Sequence, residues 1–155
     1  MMKYIVTALI LFLSLPLQAV EPSNKEIKVY RSPNCNCCHK WISHLEQHKF
    51  TVIDILTHDM ANVKDTVKLP RKLSSCHTAI IDGYIIEGHV PATDIERLIA
   101  EKPDITGLSV PNMPVGTPGM EMGNRKDDYN VFAFSPNDKI SIFQQYLHQQ
   151  TEHHH

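Results

Sequence analysis

No apolar run in this 155-residue sequence is long enough to cross a bilayer. The first, Tyr4 to Leu15, stops at Pro16, short of the roughly 20 residues that a spanning helix needs. Nor is there an excess of positive charge: 15 Lys and Arg stand against 17 Asp and Glu, a balance that argues against nucleic acid as a partner. No cysteine follows Ala19 to carry a lipid, and no segment repeats. Cysteine is scarce, with only four residues, so their arrangement has to carry the argument.

What is present begins with an export signal. Lys3 supplies a positive start, Tyr4 to Leu15 an apolar stretch, and Leu17-Gln18-Ala19 a small-residue cleavage site. The mature chain is expected to start at Val20 and to work in the periplasm without membrane attachment. Loss of Lys3 leaves 14 basic against 17 acidic residues, a formal charge of −3. The remainder suits one domain, residues 20–148, followed by a tail from 149. His153 to His155 in that tail read equally as native metal-rich sequence or as the remnant of a tag.

Hydrophobic periodicity sets the order of elements. Ile27 to Tyr30 alternates as a strand, and the turn Arg31 to Asn34 leads into Cys38 to Lys49, where Trp41, Ile42 and Leu45 form a helical stripe. Phe50 to Leu56 reads as a second strand and Asp59 to Leu69 as a polar helix closed by Pro70. Thr78 to Ile81 and Tyr84 to Ile86 flank Asp82-Gly83, a strong hairpin signal, and Pro91 to Ala100 reads as a closing helix. The order βαβα then ββα is that of a thioredoxin-like fold: an α/β mixed sheet flanked by helices. Residues 103–128, broken by four prolines and four glycines, read as one long irregular loop, and loops of that length are commonly functional. Val131 to Phe134 and Ile140 to Phe143, around Ser135 to Asp138, read as a C-terminal hairpin in preference to a short helix.

Three of the four cysteines, Cys35, Cys37 and Cys38, crowd into a C-x-C-C segment at the start of the first helix. A disulfide inside so small a loop removes little unfolded-state entropy, so stapling explains the crowding poorly. A helix N-terminus favours thiolate over thiol, and thiolates serve both as soft metal ligands and as nucleophiles. Two readings therefore stand: a soft-metal site, which the third thiol favours, and a Cys35–Cys38 exchange pair.

Other residues bear on that choice. Cys76 and His77 precede Thr78, at the place where this fold packs a strand start against the C-x-x-C loop. His89, in Gly88-His89-Val90 after the hairpin, approaches the same surface. Each histidine reads as a donor or, equally, as a residue that caps a strand or faces water. His39 reads as a ligand or as a cation tuning the thiols; His44, His48 and His58 read as solvated. Met113, Met120 and Met122 lie among Pro and Gly with few apolar neighbours, which favours ligand over core, and thioether favours Cu(I) over zinc.

Ser32-Pro33-Asn34-Cys35-Asn36-Cys37-Cys38, Trp41, Ser75-Cys76-His77-Thr78-Ala79, Gly88-His89-Val90-Pro91-Ala92, Gly107 to Pro114 and Pro118-Gly119-Met120-Glu121 occur in this order. Together they resemble the CopG-like copper-tolerance proteins across nearly the whole mature chain. The resemblance implies an exported, thioredoxin-like protein that binds several copper ions through bridging thiolates, with copper oxidoreduction as a further activity. The expected donors are Cys35, Cys37, Cys38 and Cys76, with Met113, Met120 and one or more of His77 and His89. Asn36 departs from the glycine associated with the family, and asparagine is suited to a left-handed backbone there.

The leading expectation is thus a periplasmic copper-binding protein holding Cu(I), with Cu(II) admitted where imidazole joins the sulfurs. Sequestration, delivery and copper oxidoreduction share these donors, and of the three only oxidoreduction would make the protein an enzyme. The alternative is a thiol-disulfide oxidoreductase with Cys35 as nucleophile and Cys38 as resolving thiol. A third role, docking of the Pro/Gly/Met loop onto a copper exporter or chaperone, concerns the same loop.

Overall fold

The computed structural model describes residues 25–137 and 139–148. The expected signal segment, the start at Val20, Asp138 of the terminal turn and the tail from 149 lie outside them.

Alternation of side chains sets the strands. In β1 (Glu26–Arg31), Ile27 and Val29 turn inward and are wholly buried, while Glu26 and Lys28 face out. Helix α1 (Asn36–Gln47) follows, burying Cys38, Trp41, Ile42 and Leu45 along one stripe. Burial of Ile42 or Leu45 contributes about 1.5–3 kcal/mol each. Then come β2 (Thr51–Leu56), α2 (Met60–Thr66), a 3-10 turn at Arg71–Leu73, β3 (His77–Ile81) and β4 (Tyr84–Glu87). Asp82 and Gly83 both take positive φ, 48° and 82°, in the tight turn between β3 and β4. Helix α3 (Ala92–Glu101) closes this part.

With β5 (Gly107–Ser109), β6 (Tyr129–Ser135) and β7 (Lys139–Tyr146), the chain completes one seven-stranded mixed sheet in the order β2-β1-β3-β4-β5-β6-β7. Strand β1 runs parallel to β2 and antiparallel to β3, which places the start of β3 beside the end of β1, His77 opposite Arg31. Each face has its own apolar cluster. Ile86, Ala79 and Ile81 pack with α1 and α3 on one side, whereas Ile85 and Phe134 pack with Leu69 and Leu73 on the other. This is the expected mixed sheet flanked by helices.

One expectation changes. The segment 103–128 is not wholly irregular: Gly107–Ser109 forms β5, parallel to β4 and antiparallel to β6 (Tyr129–Ser135). An added Cβ at Gly107 would collide with the carbonyl of Ile85, so glycine lets the two strands approach. The C-terminal hairpin forms as expected, β6 pairing antiparallel with β7 (Lys139–Tyr146) through a bulge at Val131/Phe132. Strand β5 welds this hairpin to the rest of the sheet. Among the described residues no helix is long and apolar enough to cross a membrane.

Candidate metal centre

The centre starts where β1 ends. The Cys35 N–H donates to Ser32 O at 3.1 Å, closing the turn, and Cys35 becomes the N-cap of α1 with Cys37 and Cys38 in its first turn. No carboxylate occupies that turn, so the positive end of the helix is free to act on sulfur. Asn36 is the first helical residue and does not adopt the left-handed backbone that its departure from glycine suggested.

Cys35 and Cys38 are joined as a disulfide, their Cα atoms 5.3 Å apart. Cys37 and Cys76 are free thiols, both half-buried. In this state two of the four expected sulfur donors are bonded to each other. The Cys37 sulfur lies 3.5 Å from that of Cys35, and all four sulfurs fall within 4.8 Å of one another.

Cys76 also belongs to a second group. Its sulfur is 3.3 Å from His77 Nδ1 and 3.2 Å from His89 Nε2, and these three donor atoms lie within 4.8 Å of one another. His77 and His89 are fully buried, so neither faces water. The His77 ring packs 4.3 Å from Trp41 and 5.1 Å from His89, centroid to centroid. Its Nε2 is buried with no hydrogen-bond partner among the described residues. Trp41 is itself fixed by donating to Val90 O at 2.8 Å.

Burial dominates the protonation of these groups. It pushes the Cys76 thiol up to about 12, the nearby Cys37 sulfur adding to the effect. Burial, followed by the neighbouring His89, holds His77 well below the usual imidazole range, and burial also lowers His89. Both imidazoles are therefore neutral at neutral pH, the form that ligates metals. His89 Nδ1 lies 2.7 Å from Pro118 O; a carbonyl only accepts, so Nδ1 carries the proton and Nε2 presents its lone pair to Cys76.

That carbonyl belongs to the long loop, which is docked onto the centre at two places. Gly119, with φ of 85°, sits so close to α1 that an added Cβ would lie 2.8 Å from Trp41 N and 2.9 Å from Cys37 O. At the other place, Ser75 Oγ donates to Asn112 O beside Cys76. Met113 and Met120 each follow one of these anchors in sequence, and Met113 is 48% exposed. His39 and His58 are exposed, and His39 belongs to neither donor group.

Sequence reasoning missed three contributors. The Pro118 carbonyl and the close approach of Gly119 are backbone features with no side-chain signature. His44, read as solvated, is half-buried and accepts the Ala92 N–H at 3.1 Å, capping α3. Its spacing from Trp41 was the available signal.

The geometry joins soft sulfur and neutral imidazole donors around one shared thiol, a set suited to a soft or borderline metal ion and, when reduced, to thiol chemistry. The family described as "Protein of unknown function, DUF411" matches residues 73–120, which include Cys76, His77, His89 and the docked loop. A solved structure titled copper resistance protein copG, form 2, is similar with 46% identity and a TM-score of 0.76, over 79% of this chain and 98% of that one. Form 1 of the same protein matches at 47% identity and a TM-score of 0.75, over 78% and 96%. No curated protein matches the chain.

Proposed function

This chain belongs to the family of the copper resistance protein CopG, and from that premise we propose that it binds copper as cargo for copper tolerance. The ion is Cu(I), held after reduction of the Cys35–Cys38 bridge by the thiolates of Cys35, Cys37, Cys38 and Cys76. His77, His89, Met113 and Met120 complete the shell, and the protein works in the periplasm. The observation that carries this reading is the position of Cys76: one sulfur belongs at once to a four-sulfur group and to a group with two imidazoles. Two overlapping donor sets that share a thiolate suit more than one ion, because thiolate sulfur bridges metals readily. The imidazole side would accommodate Cu(II) better than the sulfur side, which is the basis for Cu(I)/Cu(II) redox activity.

The disulfide favours a second reading, thiol-disulfide exchange with Cys35 and Cys38 as the working pair. One experiment separates the two. The chain from Val20, reduced and loaded with Cu(I) without oxygen, is analysed for copper per chain and, after metal removal, for free thiols. More than one retained copper, lost in Cys37→Ser and in Cys76→Ser, is the expected result. No retained copper, with insulin-disulfide turnover that survives Cys76→Ser, would move the assignment to the exchange enzyme.

A further inference from the structure

Glu87 is a charged residue at the end of a buried strand, wholly inaccessible to solvent and one of the largest fully buried side chains. Its neighbours in β4 are Ile85 and Ile86, and an apolar residue would continue the pattern. Instead its carboxylate gathers three donors, one from α2 and two from the segment around Cys76. Oε1 accepts from Lys64 Nζ of α2 and from the Ser75 backbone N–H at 2.6 Å, and Oε2 accepts from Thr78 Oγ1 at 2.6 Å. Lys64 Nζ also reaches Thr78 Oγ1 at 3.3 Å.

A buried ion pair is weak grounds for stability, because a well-packed apolar pair of similar volume holds two elements together as well or better. An apolar side chain could not accept the Ser75 N–H. That amide immediately precedes Cys76, and Thr78, directly across the ladder from Glu87, closely follows it. The carboxylate thus grips Cys76-His77 on both sides. The other partner of the centre leaves from the same residue: Gly88 follows Glu87, donates to His77 O at 3.0 Å, and leads into His89. Gly88 is pressed so closely on Ser75 that an added Cβ would lie 2.7 Å from its Cβ.

We propose that Glu87 is the positioning residue of the donor set, its buried carboxylate fixing Ser75–Thr78 so that the Cys76 sulfur faces the cysteine triplet and His89 together. This rests on the copper reading for its purpose, but not for its test. In metal-free, fully reduced protein, alkylation of Cys76 and Cys37 by iodoacetamide is followed separately by mass spectrometry.

Two paired variants separate positioning from bulk stability. Glu87→Gln with Lys64→Met removes both charges but keeps an oxygen for the Ser75 amide; Glu87→Leu with Lys64→Met removes that oxygen too. In the leucine pair, Cys76 alkylation is expected to rise about threefold or more relative to Cys37 as its segment loosens. The glutamine pair should restore the wild-type ratio. Cu(I) affinity against a competing chelator should fall about tenfold or more in the leucine pair alone.

An unchanged Cys76-to-Cys37 ratio in the leucine pair, or equal ratios in the two pairs, would overturn the proposal. If the leucine pair does not fold, Thr78→Val takes one donor from the carboxylate at nearly constant volume. A smaller rise of the same sign then supports the proposal, and no change sinks it. Failure of the wild-type chain to take up Cu(I) would count against the copper reading while the thiol rates still decide the role of Glu87.

Discussion

His44 shows how a single residue outside the donor set ties the centre to its support. Its Nε2 accepts the first N–H of α3, so protonation there removes a helix cap. Burial, then the adjacent His48, lowers its pKa below the ordinary 6.5. As pH falls through that value the unfolded chain takes up the proton first, so the stability His44 contributes is present above it and lost below. Melting temperature should therefore decline between about pH 7.5 and 5.5 more steeply in the wild type than in His44→Gln, which keeps an acceptor but does not titrate. Parallel curves would show that the cap does not titrate in this range. The same residue marks a limit of sequence reading. Its spacing from Trp41 puts it at the edge of the buried stripe, but the helix start that it caps, far along the chain, shows only once α3 is placed against it.

Among elements, the loop between β5 and β6 matters most, because it carries the Pro118 carbonyl and presses Gly119 onto α1. Gly119→Ala combines a left-handed backbone with a clash against main-chain atoms of Trp41 and Cys37. It should cost about 1–3 kcal/mol, read as a lowered denaturation midpoint. It should also weaken Cu(I) retention if loop docking supports the donors; a folded variant with wild-type stability would show that the loop can back away freely. Much of this architecture was legible beforehand. Ile27 to Tyr30, the Asp82-Gly83 turn and the Trp41 stripe each state their element through local periodicity, and Cys76, His77 and His89 follow from where such a fold places strand ends. Strand β5 did not, because three residues, Gly107-Leu108-Ser109, are too few to alternate and it forms only by pairing with strands on both sides. Glu87 was silent for a related reason: at the end of a hairpin a glutamate reads as solvent-facing, and its burial depends on Lys64 of a distant helix.

For the whole molecule, the disulfide makes oxidation state a determinant of capacity. With Cys35 and Cys38 bridged, the described residues hold two free thiols, Cys37 and Cys76. Reduction with a thiol reductant under denaturing conditions should raise the titratable thiols from two to four. Only the reduced protein should then reach full Cu(I) loading, and equal loading of both forms would remove Cys35 and Cys38 from the donor set. The loop reports on itself by a different route. Because the Pro118 carbonyl decides which nitrogen of His89 holds the proton, lifting the loop frees that imidazole to exchange tautomers. The nitrogen chemical shifts of one buried ring, followed by NMR, would thus record whether a backbone segment twenty-nine positions away is seated, even before any metal is added.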